Sequence, residues 1–390
     1  MPLLSNQYME RNIFSEEHGL FREQFARFLE KEIVSNYEEW ERAGQVSREA
    51  WKKAGAAGFL CPWLPEEFGG SGADFLYSVI EAEELSMKMV NGFATWVHSD
   101  IIVPYIWNFG TEEQKSKWLP GCVSGDIITA VAMTEPDAGS DLQAIRATAE
   151  KEGGHYIVNG QKTFITNGLS SDLVIVAVKT DPKAKPAYKG MSLIVVEDGT
   201  PGYVKGRRLE KIGWHAQDTA EIYFEHCRVP AENLLGKEGQ GFAILMEELQ
   251  QERLMCAITS TAMMRKAIEL AKEYVNERKA FGRPLARFQN TRFVMAELIT
   301  RAEMIQEFMD RLVESHMAGK DVVMETSMAK YFASESLNDT VDRCLQFFGG
   351  YGYMEEYPIA RLYRDARVHS LYAGTSEIMK EIIGKRLFPG

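Results

Sequence analysis

Cysteine is scarce and dispersed: Cys61, Cys122, Cys227, Cys256 and Cys344 are the five among 390 residues, an odd number with no C-x-x-C pair. That spacing supports neither a disulfide framework nor a zinc site, so buried, reduced thiols are expected. Histidine numbers seven, at 18, 98, 155, 215, 226, 316 and 369, with no two at ligand spacing, and a metal centre is therefore not expected. No run of about 18 apolar residues occurs, which excludes a membrane-spanning helix. The opening MPLLSNQYMERNIFSEE has no basic segment followed by an apolar one, so the expected location is cytoplasmic. Basic charge is in deficit, with 44 Lys and Arg against 56 Asp and Glu for a net −12. A surface of that sign repels a phosphate backbone and argues against a nucleic-acid partner.

Several catalytic signatures are missing too. G-x-S-x-G, H-E-x-x-H and S-x-x-K near K-T-G do not occur, and no phosphate-binding P-loop is present. The nearest approach to G-x-G-x-x-G is Gly350-Tyr351-Gly352-Tyr353-Met354-Glu355, which lacks the last glycine and a β-α-β context, so a Rossmann-type nicotinamide enzyme is disfavoured.

What is present is ample for a large core. A chain of 390 residues allows two or three domains at roughly 150 residues each. Through residue 125 apolar residues recur at helical spacing, as in Phe21, Phe25, Phe28, Leu29 and Ile33. Thr111 followed by Gln114 reads as a capping box, with Pro120 expected to stop that helix. From 126 to 232 short β-branched runs alternate with turns, and Thr180 to Gly190 reads as a loop between strands. After Gly239 and Gly241 the helical period returns and fills 233–390. The expected fold is α+β and multidomain, in the order helical, β, helical.

Two features carry chemical interest. Met133-Thr134-Glu135-Pro136-Asp137-Ala138-Gly139-Ser140-Asp141 packs hydroxyl and small residues into a turn; Gly139 and Ser140 suit an approaching anion and Thr134 a ring heteroatom, while a plain Pro-Asp turn with Ser140 as N-cap explains the same spacing. In the helix expected from Gly241 to Lys279, Phe242, Leu245, Leu249, Glu252, Cys256, Thr259 and Met263 are spaced 3, 4, 3, 4, 3, 4, an apolar stripe interrupted by one carboxylate. Burial would raise its pKa into the range of a base at neutral pH, whereas Arg253 beside it could hold it in an ion pair. Three further stretches are dense in glycine and aromatics: Arg278 to Pro284 followed by Gln289, Gln346 to Tyr353, and Tyr372 to Glu377, where Thr375 reads as the cap of a last helix.

Taken in order, these stretches resemble the acyl-CoA dehydrogenase family over nearly the whole chain. The block from Ala132 to Ala144 and the block from Gln346 through Gly349, Gly350, Gly352, Glu356 and Arg361 to Asp365 look like that family's two signatures. The resemblance implies an N-terminal helical domain, a central β-barrel-like domain and a C-terminal four-helix bundle. It implies FAD as cofactor, with the flavin ring held by Met133, Thr134, Phe164, Ile165 and Thr166, and with Gly139 and Ser140 near the pyrophosphate, Ser140 also serving the acyl-CoA. Phe164 stands where the family usually has Trp, so ring stacking is retained and an indole hydrogen bond lost. The adenine end would be completed across a subunit interface by Arg278, Phe281, Gln289, Gln346, Gly349 and Gly350, with Thr375 and Glu377 closing over the cofactor in a homotetramer built as a dimer of dimers.

Many members place their catalytic glutamate at the position of Ala373, which cannot take a proton. Another branch, including the long-chain and isovaleryl enzymes, places it at the position of Glu252. The resemblance thus implies Glu252 as the base that removes the α-proton of an acyl-CoA. The thioester carbonyl would meet the backbone N–H at Ala373 beside Gly374, Arg253 would partner CoA or the helix near Glu252, the flavin would take the β-hydrogen, and an electron-transferring flavoprotein would take the electrons. A family-related oxidase and a non-catalytic flavoprotein of the same fold are the alternatives.

Overall fold

The computed structural model describes residues 9–388. Among these residues, six α-helices form the first third: α1 (Glu16–Phe28), α2 (Tyr37–Ala43), α3 (Arg48–Ala56), α4 (Phe75–Met87), α5 (Val103–Phe109) and α6 (Glu112–Ser124). A π-helical stretch, Val97–Ile102, leads into α5, and another, Leu29–Ile33, follows α1. The Thr111 capping box forms as expected: its hydroxyl accepts from Gln114 N at 3.3 Å while Gln114 Oε1 accepts from Thr111 N at 3.0 Å. Pro120, by contrast, does not stop α6. The helix runs on to Ser124 and ends at Gly125 in the left-handed region; burial of Trp118, Leu119, Cys122 and Val123 offsets the hydrogen bond that proline removes.

Next come β1 (Thr129–Ala132), β2 (Thr148–Glu152), β3 (His155–Thr166), β4 (Leu173–Lys179), β5 (Met191–Glu197), β6 (Tyr203–Arg208), β7 (Thr219–Pro230) and β8 (Leu234–Leu235). They make one sheet in the order β6-β7-β3-β2-β4-β5-β8, with β1 parallel to β4. The central domain is a β-sheet domain as expected, and among the described residues its sheet stays open rather than closing into a full barrel. Its β6 edge carries Lys205, Arg207 and Arg208 and its other edge, β8, is two residues long, and charged or very short edges resist further pairing. The 180–190 segment links β4 to β5 as a loop with one 3-10 turn.

The last third holds α7 (Gly241–Glu277), a two-strand hairpin β9–β10 (Lys279–Ala280 and Arg283–Pro284), α8 (Gln289–Met317), α9 (Val323–Phe348), α10 (Pro358–Ala366) and α11 (Ser376–Leu387). Helix α7 packs chiefly on α9, and also on α4 and α8. All three parts meet around Trp214. Its backbone N donates to Asp365 Oδ1 at 2.6 Å, and its ring stands edge-on to Trp96, His369 and Tyr372.

Candidate active site

Glu252 lies about a third of the way along α7, half-buried itself, on a stripe where Leu245, Leu249, Cys256, Thr259 and Met263 are all buried. Its Oε2 is shielded from solvent and has no hydrogen-bond partner. Burial pushes its pKa up from 4.5 to about 7, against the pull of Arg253 and Lys330. An unpaired carboxylate that ionises near neutrality is equipped to accept a proton.

The next residue, Arg253, reaches the turn that precedes α11. Ala373 (φ 54°) and Gly374 (φ 92°) both take left-handed backbone, a conformation that costs Ala roughly 1 kcal/mol or more and needs support from its surroundings. Two buried cations give that support. Arg253 Nε approaches the Ala373 carbonyl at 3.5 Å, and Lys330 Nζ, from α9, donates to the Gly374 carbonyl at 2.6 Å. Arg253 is 5% and Lys330 0% exposed; Arg253 thus points into the protein and at the turn. Thr375 caps α11, accepting from Ile378 N at 3.4 Å, and Glu377 lies exposed in its first turn.

A second group gathers where β1 leaves the sheet. Thr163 N donates to Thr134 O at 3.0 Å, and Lys162, fully buried, donates to Met133 O at 3.0 Å and to Glu135 Oε1 at 2.8 Å. The Glu135 carboxylate also accepts the N–H groups of Arg146 and Ala147, so one buried ion pair staples both ends of the 133–147 excursion to β3. An irregularity in the β3–β7 pairing between Lys162 and Ile165 turns Phe164 outward in left-handed backbone, 67% exposed, while Ile165 is buried and Thr166 half-buried. Gly139 and Ser140 are exposed on the adjoining turn. Ser140 is not an N-cap: the next helical element is only the three-residue turn Leu142–Ala144, preceded by Asp141 and without a side-chain cap.

The third group sits at one end of the helical bundle. Arg278 lies over the Tyr351 ring at 5.7 Å, which ties the hairpin after α7 to the Gly349–Tyr353 turn after α9. Phe281, at the hairpin tip, is 95% exposed. Gln289 and Gln346 are exposed, and a Cβ on Gly349 or Gly350 would meet nothing within 4 Å. An open aromatic platform beside hydroxyls suits an isoalloxazine ring, and exposed arginine, amide and glycine suit a nucleotide. The donor set fits FAD.

Lys330 and the Lys162–Glu135 pair do not stand out in the sequence as site residues. Lys330 carries a usable signal: it interrupts a buried stripe of Thr326, Ala333, Leu337 and Val341 just as Glu252 interrupts its own. Lys162 carries none, since its partner is 27 residues away on a loop.

The sequence matches three domain families: the acyl-CoA dehydrogenase N-terminal domain over residues 15–126, its middle domain over 130–227 and its C-terminal domain over 239–388. It is 46% identical over 377 residues to the mitochondrial long-chain specific acyl-CoA dehydrogenase of Mus musculus, covering 97% of this chain and 88% of that one. Among solved structures it is similar to an acyl-CoA dehydrogenase from Geobacillus kaustophilus, with TM-score 0.96, 53% identity and coverage of 97% and 100%. It also resembles a chain from a study of the electron transferring flavoprotein of Acidaminococcus fermentans, with TM-score 0.92, 36% identity and coverage of 98% and 100%. Among the described residues no helix is long and apolar enough to cross a membrane. The chain belongs to the acyl-CoA dehydrogenase family, FAD-dependent oxidoreductases that act on acyl-CoA thioesters.

Proposed function

We propose that the protein converts an acyl-CoA to the trans-2-enoyl-CoA, with Glu252 as the base for the α-proton. The observation that carries this reading is the buried, unpartnered Glu252 Oε2, whose carboxyl is pushed up to about 7. At pH 8 most of it is ionised, and its environment makes it more basic than a surface glutamate. FAD, when bound, supplies the acceptor for the β-hydrogen and its electron pair.

The chain's own residues do the rest. Met133, Thr134, Phe164, Ile165 and Thr166 would hold the flavin ring, Gly139 and Ser140 the pyrophosphate, and Arg278, Phe281, Gln289, Gln346, Gly349 and Gly350 the adenine half, with Thr375 and Glu377 closing over it. Ser140 and the turn at Ala373 and Gly374 would receive the acyl-CoA. As the α-proton leaves, negative charge develops on the thioester oxygen, and a turn fixed in advance by Arg253 and Lys330 meets it without reorganising. Electrons leave to an electron-transferring flavoprotein, and the working form is a homotetramer; nearly full exposure of Phe281 supports a cofactor site completed by a second copy. Five buried free cysteines suit a reducing cytoplasm.

Anaerobic stopped-flow reduction of the holoenzyme by octanoyl- and isovaleryl-CoA tests the assignment. Glu252→Gln is expected to lose at least about 10³-fold in reduction rate while retaining FAD. Near-normal reduction in that variant would overturn it.

A further inference from the structure

Arg253 and Lys330 hold the carbonyls of Ala373 and Gly374, and both carbonyls lie downstream of the Ala373 N–H. That N–H shares its planar peptide unit with the Tyr372 carbonyl, so its direction is set by how Tyr372 is held. A histidine ties the tip of Tyr372 to α7. Tyr372 Oη lies 3.0 Å from His369 Nδ1, and the same nitrogen lies 2.8 Å from Ser260 Oγ on α7. Ser260 gives its hydroxyl proton to the Cys256 carbonyl at 2.7 Å, so its oxygen is left to accept. The assignment that suits all three groups is a neutral imidazole with its proton on Nδ1, shared between the Ser260 and Tyr372 oxygens. Nε2, buried without a partner, then carries only a lone pair, and no ring N–H is left unpaired.

The surroundings keep this arrangement in place. His369 is fully buried in the 3-10 turn Arg367–Ser370, and burial, with Lys330 adding to it, pushes its pKa down to about 3. The ring is therefore neutral at neutral pH. The Trp214 indole stands edge-on to His369 at 5.6 Å and to Tyr372 at 5.8 Å, and Lys330 Nζ lies 5.9 Å from the centre of the Tyr372 ring. The Tyr372 side chain is thus confined at its ring and tied at its tip to a point about two turns beyond Glu252.

We propose that His369 is a positioning residue, whose Nδ1 joins Ser260 to Tyr372 and so aims the Ala373 N–H at the place of the thioester oxygen. The proposal rests on the reading that the 373 turn receives that oxygen while Glu252 takes the α-proton. Charge develops on the oxygen only as the proton leaves, so a turn that drifts lowers the rate more than the affinity.

The test compares two side chains of nearly equal size: asparagine offers an N–H close to where Nδ1 stands, and leucine offers none. The holoenzyme and its variants are reduced anaerobically by octanoyl-CoA over a range of concentrations in a stopped-flow spectrometer. We expect His369→Leu to lower the saturating rate by at least about tenfold with the half-saturating concentration within about twofold, and His369→Asn to keep the saturating rate within about threefold. Ser260→Ala cuts the same tie from α7 with a smaller change; it should lower the saturating rate too, and adding it to His369→Leu should lower that rate little further. A merely structural role would act through FAD retention and would not separate leucine from asparagine. Equal saturating rates in those two variants would overturn the proposal; should His369→Leu fail to fold, an unaltered rate in Ser260→Ala would do so. Glu252→Gln guards the premise. If that variant is reduced at the original rate, the reading of the site fails; if it is not, and His369→Leu matches the unaltered enzyme, the positioning role alone fails.

Discussion

Replacing Glu252 by Gln should abolish the chemistry and stabilise the protein, by an amount that depends on pH. The Glu252 carboxyl titrates at 4.5 in a solvated chain and at about 7 in the fold. Because the folded pKa is the higher, the folded state holds the proton more tightly, and stability falls as pH rises through the interval between the two values. Below about pH 4 both states are protonated and the residue is neutral in effect. At pH 5 the ionisation penalty is about 1 kcal/mol, and at pH 8 it has levelled off at about 3 kcal/mol. Glutamine cannot ionise and avoids the penalty throughout. Its amide N–H groups need partners, a cost that is the same at every pH and therefore cancels when two pH values are compared. For a chain of 390 residues the unfolding entropy is about 0.8 kcal/mol/K, so the gap in melting temperature between variant and parent should widen by about 3 °C from pH 5 to pH 8. The assay is scanning calorimetry of both holoenzymes with FAD in excess and the concentration held fixed, since both stabilise by mass action. A gap that does not change with pH would refute the buried, ionising Glu252 on which the proposed mechanism rests.

Lys330→Met removes the cation that holds the Gly374 carbonyl and draws Glu252 toward ionisation; the rising limb of flavin reduction against pH should move up by about one pH unit, and an unmoved limb in a folded, flavin-loaded variant would rule out that coupling. Arg278→Ala should loosen FAD and subunit association together, because the proposed cofactor site, completed across an interface, would link the two; analytical ultracentrifugation with and without added FAD reads this, and a fully flavinated monomer would count against it. In a Glu252→Gly background Ala373→Glu should regain part of the lost reduction and favour butyryl- over isovaleryl-CoA. Ala373 already sits in left-handed backbone, so the change adds a side chain without adding a new backbone strain, and no gain by stopped-flow would show that position 373 does not face the substrate.

Patterns that repeat within one element were legible in the sequence. The Thr111 capping box, the buried stripe on α7 with Glu252 in its middle, and the cap at Thr375 all depend on residues three or four apart. The helical, β, helical order comes from the same periodicities. Pro120 misleads because a local rule weighs the missing N–H and cannot weigh the core that Trp118 and Cys122 fill. The open sheet is equally hidden, since closure depends on which edges meet, and only the folded chain shows Lys205 and Arg207 along one edge and a two-residue strand at the other. Pairs far apart in sequence leave no trace: Asn108 meets Glu248 across 140 residues and Arg253 meets Ala373 across 120. Within the resemblance, Arg253 reads as a partner of CoA or of the helix near Glu252; in the fold it is buried and approaches the 373 turn.

That turn explains how a buried carboxylate can share its neighbourhood with two buried cations. Burial lowers the pKa of both Arg253 and Lys330, so each is held at a desolvation cost. Each recovers part of that cost from a backbone carbonyl and from Glu252. On the proposed assignment, removal of the α-proton neutralises Glu252 and moves its negative charge onto the thioester oxygen, which is received at the same turn. The charge therefore travels a short way beside the same two cations. Neither cation has to move, because the carbonyls of Ala373 and Gly374 keep both in place whichever oxygen carries the charge. The cost of burying them is met during folding, so on that assignment the barrier to proton removal would be lowered by dipoles and charges already in position. On the same assignment, a carboxylate introduced at position 373 would stand on the turn whose carbonyls these two cations hold.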